Sequence, residues 1–114
     1  MRVKRGTTSH QKHSKIRQAT KGMTKSNRSS IKRGKQAVTK ALQFAYRDRR
    51  NRKRTFREIW NARINAAARL HETTYSRLIA GLKAANVTLD RKILSELAVN
   101  EPQAFQAVIE KAVK

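Results

Sequence analysis

Cysteine is absent from this chain, and proline, glycine and aromatic residues are rare. The 114 residues include no Cys, one Pro, four Gly and 5% aromatic residues. The absence of Cys excludes disulfides, thiolate metal sites and cysteine nucleophiles. No apolar run approaches the ~18 residues that a membrane-spanning helix needs. We also expect no secretory signal, because no apolar stretch lies near the first residues.

Acidic residues are scarce as well, since seven Asp and Glu accompany 28 Lys and Arg, for a formal net charge of +21. Residues 1–57 hold 20 of the cations and one acid, whereas residues 58–114 hold eight cations and six acids. The apolar residues divide the other way, 14 against 29. We therefore predict a basic arm over 1–57 and a small globular domain over 58–114. So basic a chain requires an anionic partner, and nucleic acid is the strongest candidate.

The arm has two parts. Residues 1–30 contain no acid and little that is apolar, so we predict an extended start. A helical pattern begins near residue 31, and no Pro interrupts residues 31–71. Such a helix would span about 60 Å, more than the diameter of a 57-residue domain, so part of it would project. The apolar stripe of this helix comprises Ala37, Val38, Ala41, Leu42, Ala45 and Tyr46.

The stripe ends at the segment from Arg47 to Arg54, RDRRNRKR, which carries charge on every side of a helix. A helix that is polar all round is not held by a core, so something outside it must neutralise it. Dense Arg and Lys bind phosphates and release counterions, which gives affinity without reading a base sequence. Arg also forms bidentate contacts with phosphate and stacks on bases, which suits RNA.

The second half predicts helices only, because no short β-branched run bounded by turn signals is present. We expect a helix N-cap at Thr73 or Thr74 and another near Thr88 or Asp90. Asn86 is expected to end a helix in a left-handed conformation, and Asn100-Glu101-Pro102 resembles a helix start. The predicted fold is all-α, with a long basic N-terminal helical extension and a small C-terminal helical bundle.

Four amphipathic stretches are expected to close the core of that bundle, which is marginally stable by size. They are Phe56, Ile59, Trp60, Ile64, Ala67, Ala68 and Leu70; Tyr75, Leu78, Ile79 and Leu82; Ile93, Leu94 and Leu97; and Phe105, Val108, Ile109 and Ala112.

No combination of residues indicates an enzyme. His10, His13 and His71 are the only candidates for a metal or acid–base centre, but they lie among cations and have no carboxylate partner. No paired carboxylates, Ser/His/Asp set or phosphate-binding Gly-rich loop is present. We therefore expect no catalytic residue, no metal and no cofactor.

The aromatic residues divide between the core and candidate RNA contacts. Trp60 and Tyr75 lie on apolar faces at helical spacing, so we expect both in the core. Phe44 and Tyr46 precede the densest charge. We expect one of them to stack on a base or lie against a sugar, while the other completes the apolar stripe.

Composition alone leaves other interpretations of the arm open. A general nucleic-acid-compacting protein that binds DNA without sequence preference would carry a similar charge, and so would a tail that binds any polyanion or only keeps the protein soluble. Residues 1–30 are also compatible with a cleaved organellar transit peptide, because they are basic, Ser/Thr-rich and acid-free. A membrane-active cationic peptide is disfavoured, since the basic segment lacks a wide Leu/Trp face.

Several motifs occur in an order that is typical of one protein family. YRDRRNRKR (Tyr46 to Arg54) is followed by FREIW and then by RINAAAR (Arg63 to Arg69). The opening RVKRG, the pair Lys21-Gly22, and the later stretches YSRLIAGLKAA and LDRKIL fit the same order. With these motifs the chain resembles, over essentially its whole length, the bacterial large-subunit ribosomal protein family that is numbered twenty in the L series.

The resemblance implies a structural protein that binds 23S rRNA directly. Members of that family have a helical N-terminal arm threaded into large-subunit rRNA and a small all-helical C-terminal domain on rRNA helices. They bind early in subunit assembly, and in some bacteria they repress their own mRNA by mimicry of the rRNA site. The implied partners are 23S rRNA and neighbouring large-subunit proteins, with own mRNA in those bacteria. The implied state is a monomer within a cytoplasmic ribosome, with no membrane partner.

Two positions depart from the family pattern. Aromatic Tyr-Tyr-Gly commonly follows the Lys-Gly pair, whereas here Met23, Thr24 and Lys25 follow Gly22. The loop before Tyr75 usually contains a Gly, and here it reads HETT. Neither change touches the central basic motif.

Charge and resemblance together predict two RNA-binding regions. We expect residues 2–54 to insert between rRNA helices, with the cations from Arg47 to Arg54 bridging phosphates of several strands. We expect the 58–114 domain to recognise an RNA junction by shape, through polar residues opposite its apolar stripe. The predicted RNA-binding residues are Arg2, Lys4, Arg5, Lys12, His13, Lys15, Lys21, Arg28, Arg33, Tyr46, Arg47, Arg49, Arg50, Arg52, Lys53, Arg54, Arg57, Arg63, Asn65, Arg69, Ser76 and Arg77.

Overall fold

The computed structural model describes residues 6–113, and this part of the chain consists of helices and short turns without a strand. The predicted all-α fold with a long helix is therefore confirmed. The chain divides into two compact units, one ending at Arg50 and the other beginning at Asn51. The helices are α1 (Thr7–Ala19), α2 (Lys25–Ser29), α3 (Ile31–Leu70), α4 (Tyr75–Ala84), α5 (Arg91–Asn100) and α6 (Pro102–Val113).

The first 30 residues are not extended, as far as they are described, because α1 and α2 lie within them. The expectation of an extended start is wrong for this segment. Residues of α1 and α2 pack closely against Gly34 of α3. A Cβ built on Gly34 would lie 3.0 Å from Ile16 Cγ2 and 3.0 Å from the Asn27 carbonyl oxygen. Thr20 is fully buried at the same contact, so the segment packs without a large apolar core.

The pair Lys21-Gly22 forms the turn after α1. Gly22 has a φ of 87°, a conformation that glycine adopts without steric cost. The Met23 amide closes the turn by donating to the Thr20 carbonyl oxygen at 3.0 Å. The glycine is therefore required by the backbone, whatever residue follows it.

Helix α3 is unbroken over 40 residues, but only its last part reaches the core. Ile64 and Ala68, four residues apart, are both fully buried. Three residues that were expected on the same face are exposed instead: Phe56 by 49%, Ile59 by 40% and Leu70 by 84%. Leu70 is exposed because it follows the buried Ala68 by two positions, a rotation of about 200° around the helix, and so points away from the core. Phe56 and Ile59 precede the part of α3 that the core covers. Trp60 precedes it as well, so this side chain is half-buried but does not pack on the core, contrary to expectation.

The second unit has one core, to which α3, α4, α5 and α6 all contribute. The expected apolar faces of α4, α5 and α6 supply most of it, except that Ile93 on α5 is 42% exposed. Five of the expected residues pack half-buried against the core: Tyr75, Ile79, Leu97, Val108 and Ala112. Its buried members are Ile64, Ala68, Leu78, Leu82, Leu94, Phe105 and Ile109.

The helix ends of this unit follow the sequence signals. The Thr74 hydroxyl accepts from the Arg77 amide at 3.5 Å and caps α4. The Asp90 carboxylate accepts from the Ile93 amide at 2.8 Å and caps α5. Asn86 has a φ of 53° after α4, as predicted.

Glu72 ends α3 in the same left-handed conformation, with a φ of 57°. The Thr73 amide donates to the Ala68 carbonyl oxygen at 3.1 Å, and the Glu72 amide donates to that of Arg69 at 3.2 Å. This pair of bonds is the Schellman arrangement, in which Gly is the usual residue at the left-handed position. The turn is therefore made without glycine, at a conformational cost.

Candidate nucleic-acid interface

A continuous basic surface lies on α3, along residues 39–59, in which every residue is exposed. We call it the exposed stretch. It spans about six turns and carries eight Lys and Arg against two acids. Successive residues are rotated by about 100°, so the six cations from Arg47 to Arg54 point to all sides of the helix. A helix with this pattern can contact phosphates of several strands at once.

Two aromatic side chains on this stretch lie against cations. The Arg47 guanidinium is 4.6 Å from the centre of the Phe44 ring, and Lys40 Nζ is 5.8 Å from it. The Arg50 guanidinium is 4.8 Å from the centre of the Tyr46 ring, and its Nη2 donates to the Tyr46 hydroxyl at 2.8 Å. These contacts restrict the guanidinium orientations before any ligand binds, which lowers the entropy cost of binding phosphate.

The acids of the exposed stretch do little to neutralise it. Arg47 Nε lies 3.0 Å from Asp48 Oδ1, and this is the one ion pair within residues 6–113. Both side chains are more than half exposed, so the pair contributes little to stability. The remaining cations of the stretch are left to bind an external anion.

The first unit carries further exposed basic residues outside the exposed stretch. Lys12, His13 and Lys15 lie on α1, and all three are exposed. Lys21 lies in the turn after α1, and Arg28 and Arg33 lie on α2 and α3; these are exposed as well. Arg2, Lys4 and Arg5 lie outside the described residues.

The five residues predicted to form one face of the second unit do not share a face. Arg63 and Asn65 point about 160° apart around α3, and Arg69 points about 120° from Arg63. Arg69, Ser76 and Arg77 are exposed, whereas Asn65 is half-buried. The Asn65 side-chain oxygen accepts from the Tyr75 amide at 3.3 Å. Its polar group is thus used within the fold, where it satisfies a free amide at the start of α4.

A polar network around Tyr75 was not anticipated. Tyr75 packs on the core as expected, but its hydroxyl donates to Asn61 Oδ1 at 2.9 Å. The same hydroxyl accepts from Arg91 Nε at 2.8 Å. The network links α3, α4 and α5, since Asn61 lies 14 positions before Tyr75 in the sequence and Arg91 lies 16 positions after it. No local spacing pattern could have revealed these pairs.

The histidines give no sign of a metal centre. Over residues 6–113, no group of three or more His, Asp or Glu side chains is arranged to hold a metal ion. His71 lies with its ring centre 6.5 Å from that of Phe105. Within the same range, no helix combines the length and the apolar character needed to cross a membrane.

The sequence of the chain is similar to those of one protein family. The family described as Ribosomal protein L20 matches residues 2–108. The large ribosomal subunit protein bL20 of Methylobacterium sp. (strain 4-46) is 60% identical over 111 residues, which cover 97% of this chain and 89% of the relative. The bL20 proteins of Bradyrhizobium sp. (strain BTAi1) and Mesorhizobium japonicum are each 56% identical to this chain over 97% of its length. The matched residues cover 93% of the first relative and 84% of the second. The chain therefore belongs to the ribosomal protein L20 family.

Proposed function

We propose that the chain is a structural component of the large ribosomal subunit that binds 23S rRNA directly and supports subunit assembly. As a member of its family, it belongs to the bacterial cytoplasmic ribosome. The observation that carries the rRNA proposal is the exposed stretch, residues 39–59, with cations on every side and no buried residue. A helical segment of this composition gains little from the rest of the chain and much from surrounding phosphates.

The chemistry of the stretch is electrostatic. Bringing several phosphate backbones together is opposed by their mutual repulsion, and a helix with eight cations offsets that repulsion. Arg predominates among them, which allows bidentate phosphate contacts and stacking on bases. Binding thereby favours the packed arrangement of rRNA helices over the open one, which is the proposed contribution to assembly.

We also propose different roles in rRNA binding for the two parts of the chain. Residues 1–57 form the rRNA-penetrating arm, and residues 58–114 form the small helical domain that lies on an RNA junction. The proposed arm contacts are Arg2, Lys4, Arg5, Lys12, His13, Lys15, Lys21, Arg28, Arg33, Tyr46, Arg47, Arg49, Arg50, Arg52, Lys53, Arg54 and Arg57. In the domain, Arg63, Arg69, Ser76 and Arg77 are the available polar contacts, and Asn65 acts by holding α4 in place.

A general nucleic-acid-compacting protein is the alternative that shares the charge. The experiment is a binding titration of the full-length protein with 23S rRNA fragments at rising salt, with duplex DNA as competitor. The proposal expects one fragment to stay bound at ~0.3 M salt and excess DNA, because shape recognition adds to counterion release. If duplex DNA displaced all rRNA fragments from the protein equally well, the result would favour a general nucleic-acid-compacting protein.

Repression of the chain's own mRNA is a finer proposal of the same kind. The exposed stretch and the domain surface would bind an mRNA segment that has the shape of the rRNA site. A translational reporter with the chain's own leader should fall when the protein is supplied in excess of rRNA. The reporter should stay constant if the protein binds rRNA alone.

A further inference from the structure

One surface of the second unit differs from the rest of this basic protein. A groove of about 550 Å³ lies between the end of α3 and α6. Its apolar lining includes Leu70, Ile109 and Val113. Leu70 is 84% exposed and Val113 is 66% exposed. Side chains of this kind gain free energy when another molecule covers them, at roughly 25 cal/mol for each Å² of apolar area.

The charged residues of the groove are acidic. Glu72 and Glu110 line it, and none of its seven lining residues is Lys or Arg. Within residues 6–113 the one ion pair joins Arg47 and Asp48, so no described cation pairs with either carboxylate. Glu110 Oε1 accepts from Gln106 Nε2 at 3.4 Å, and neither this carboxylate nor that of Glu72 has a cation partner among residues 6–113. Both lie beside exposed apolar side chains, so the groove offers anionic acceptors to an incoming cation. We call this surface the acidic groove.

The acidic groove is built on fixed elements. Ile109 is 6% exposed and belongs to the core. Glu72 is held by the Schellman turn at the end of α3. Helix α6 lies so close to α4 that a Cβ on Gly81 would overlap the Ala112 carbonyl oxygen. The groove therefore exists before a partner arrives, which lowers the entropy cost of docking.

We propose that the acidic groove is the docking site of a basic amphipathic segment from another protein of the large subunit. The partner's apolar side chains would cover Leu70 and Val113, and its Lys or Arg would pair with Glu72 and Glu110. This inference rests on the family membership of the chain and is independent of the proposed rRNA contacts.

Charge decides between the kinds of occupant. RNA is disfavoured, because its phosphates would face two carboxylates and its backbone would leave the apolar side chains uncovered. A second copy of this chain is disfavoured by the repulsion between two molecules of net charge +21. A protein segment with cations and apolar residues on one face satisfies both features of the groove.

Photo-crosslinking in assembled large subunits tests the proposal. A benzophenone-bearing amino acid replaces Leu70 or Val113 in the full chain, and Thr55, exposed on α3, serves as a positive control for irradiation. The expected result is that both groove positions form adducts with the same short Lys- or Arg-containing segment of one protein. Adducts with rRNA at both positions, adducts scattered over many proteins, or no adduct would overturn the proposal.

Charge reversal makes the test specific. Glu72→Lys with Glu110→Lys should lower the yield of that adduct several-fold, while the protein still enters the subunit. Glu96→Lys with Glu101→Lys is the matched control, because it makes the same charge change at exposed residues outside the groove. An adduct yield that is unchanged by the first pair, or lowered equally by both pairs, would contradict the assigned role of the groove carboxylates.

Discussion

The Tyr75 hydroxyl donates to Asn61 Oδ1 across 2.9 Å, although the two residues are 14 positions apart. The same oxygen accepts from Arg91 Nε at 2.8 Å. One hydroxyl thus fixes α4 against α3 and α5, at the edge of the core that holds the second unit together. All three side chains are half-buried, so loss of the hydroxyl would leave two polar groups partly shielded from water.

Tyr75→Phe should lower the free energy of unfolding by about 1–2 kcal/mol, because Asn61 and Arg91 lose their shared partner. Chemical denaturation of the full chain measures the change, with Trp60, the chain's one Trp, as the fluorescent probe. Tyr46→Phe is the matched control, since that hydroxyl bonds to the exposed Arg50. Equal effects of the two substitutions would show that the Tyr75 network contributes nothing of its own.

Glu72→Gly should stabilise the protein by about 1 kcal/mol. Glu72 has a φ of 57°, which strains a residue with a Cβ and suits glycine. Asn86→Gly should gain less, because Asn tolerates its φ of 53° better than Glu does. Thermal unfolding of both variants beside the parent chain gives the comparison, and a larger gain at Asn86 than at Glu72 would contradict it.

Gly81→Ala should destabilise the protein by about 2 kcal/mol, although Ala is the better helix former. A Cβ at this position would overlap the backbone of Ala112, so α4 and α6 would have to separate. Denaturant unfolding measures the loss. A gain of about 1 kcal/mol, the value expected from helix propensity alone, would mean that the two helices are not in close contact.

Ser95→Ala should raise the free energy of unfolding by up to about 1 kcal/mol. Ser95 is 1% exposed, and its Oγ has no hydrogen-bond partner among residues 6–113. Removing a buried hydroxyl without a partner removes the cost of having desolvated it. Ser76→Ala, at an exposed position of α4, should change stability by less than about 0.5 kcal/mol. A loss of stability in Ser95→Ala would contradict this expectation, because it would mean that the Ser95 hydroxyl forms a stabilising hydrogen bond.

Local signals predicted much of the second unit. Asp90 and Thr74 cap their helices, Asn86 takes the left-handed conformation, and α6 begins at Pro102. Each of these features depends on one residue type at one position of a helix end, so neighbouring sequence is sufficient to predict it. The charged segment after Tyr46 likewise predicted a helix that no core covers.

Features that depend on distant contacts were not predictable in this way. The inward role of Asn65 comes from the Tyr75 amide, ten positions away in the next helix. The exposure of Leu70 depends on its rotation about α3 relative to Ala68, which is fully buried against the other helices of the second unit. The helices of the first 30 residues pack against Gly34, where the lack of a side chain permits the close contact. The sequence does not show which distant residues make this contact.

The central claim is that the exposed stretch supplies the phosphate contacts with 23S rRNA. The direct test compares the salt dependence of rRNA binding for Arg49→Gln/Arg52→Gln/Arg54→Gln with that for Lys83→Gln/Lys92→Gln/Lys111→Gln. Both sets remove three exposed cations and change the net charge equally. We expect the first set to lower the slope of log K against log salt by about two to three, and the second set to leave this slope nearly unchanged. Equal loss in both sets would contradict the claim, because only the total charge would then matter.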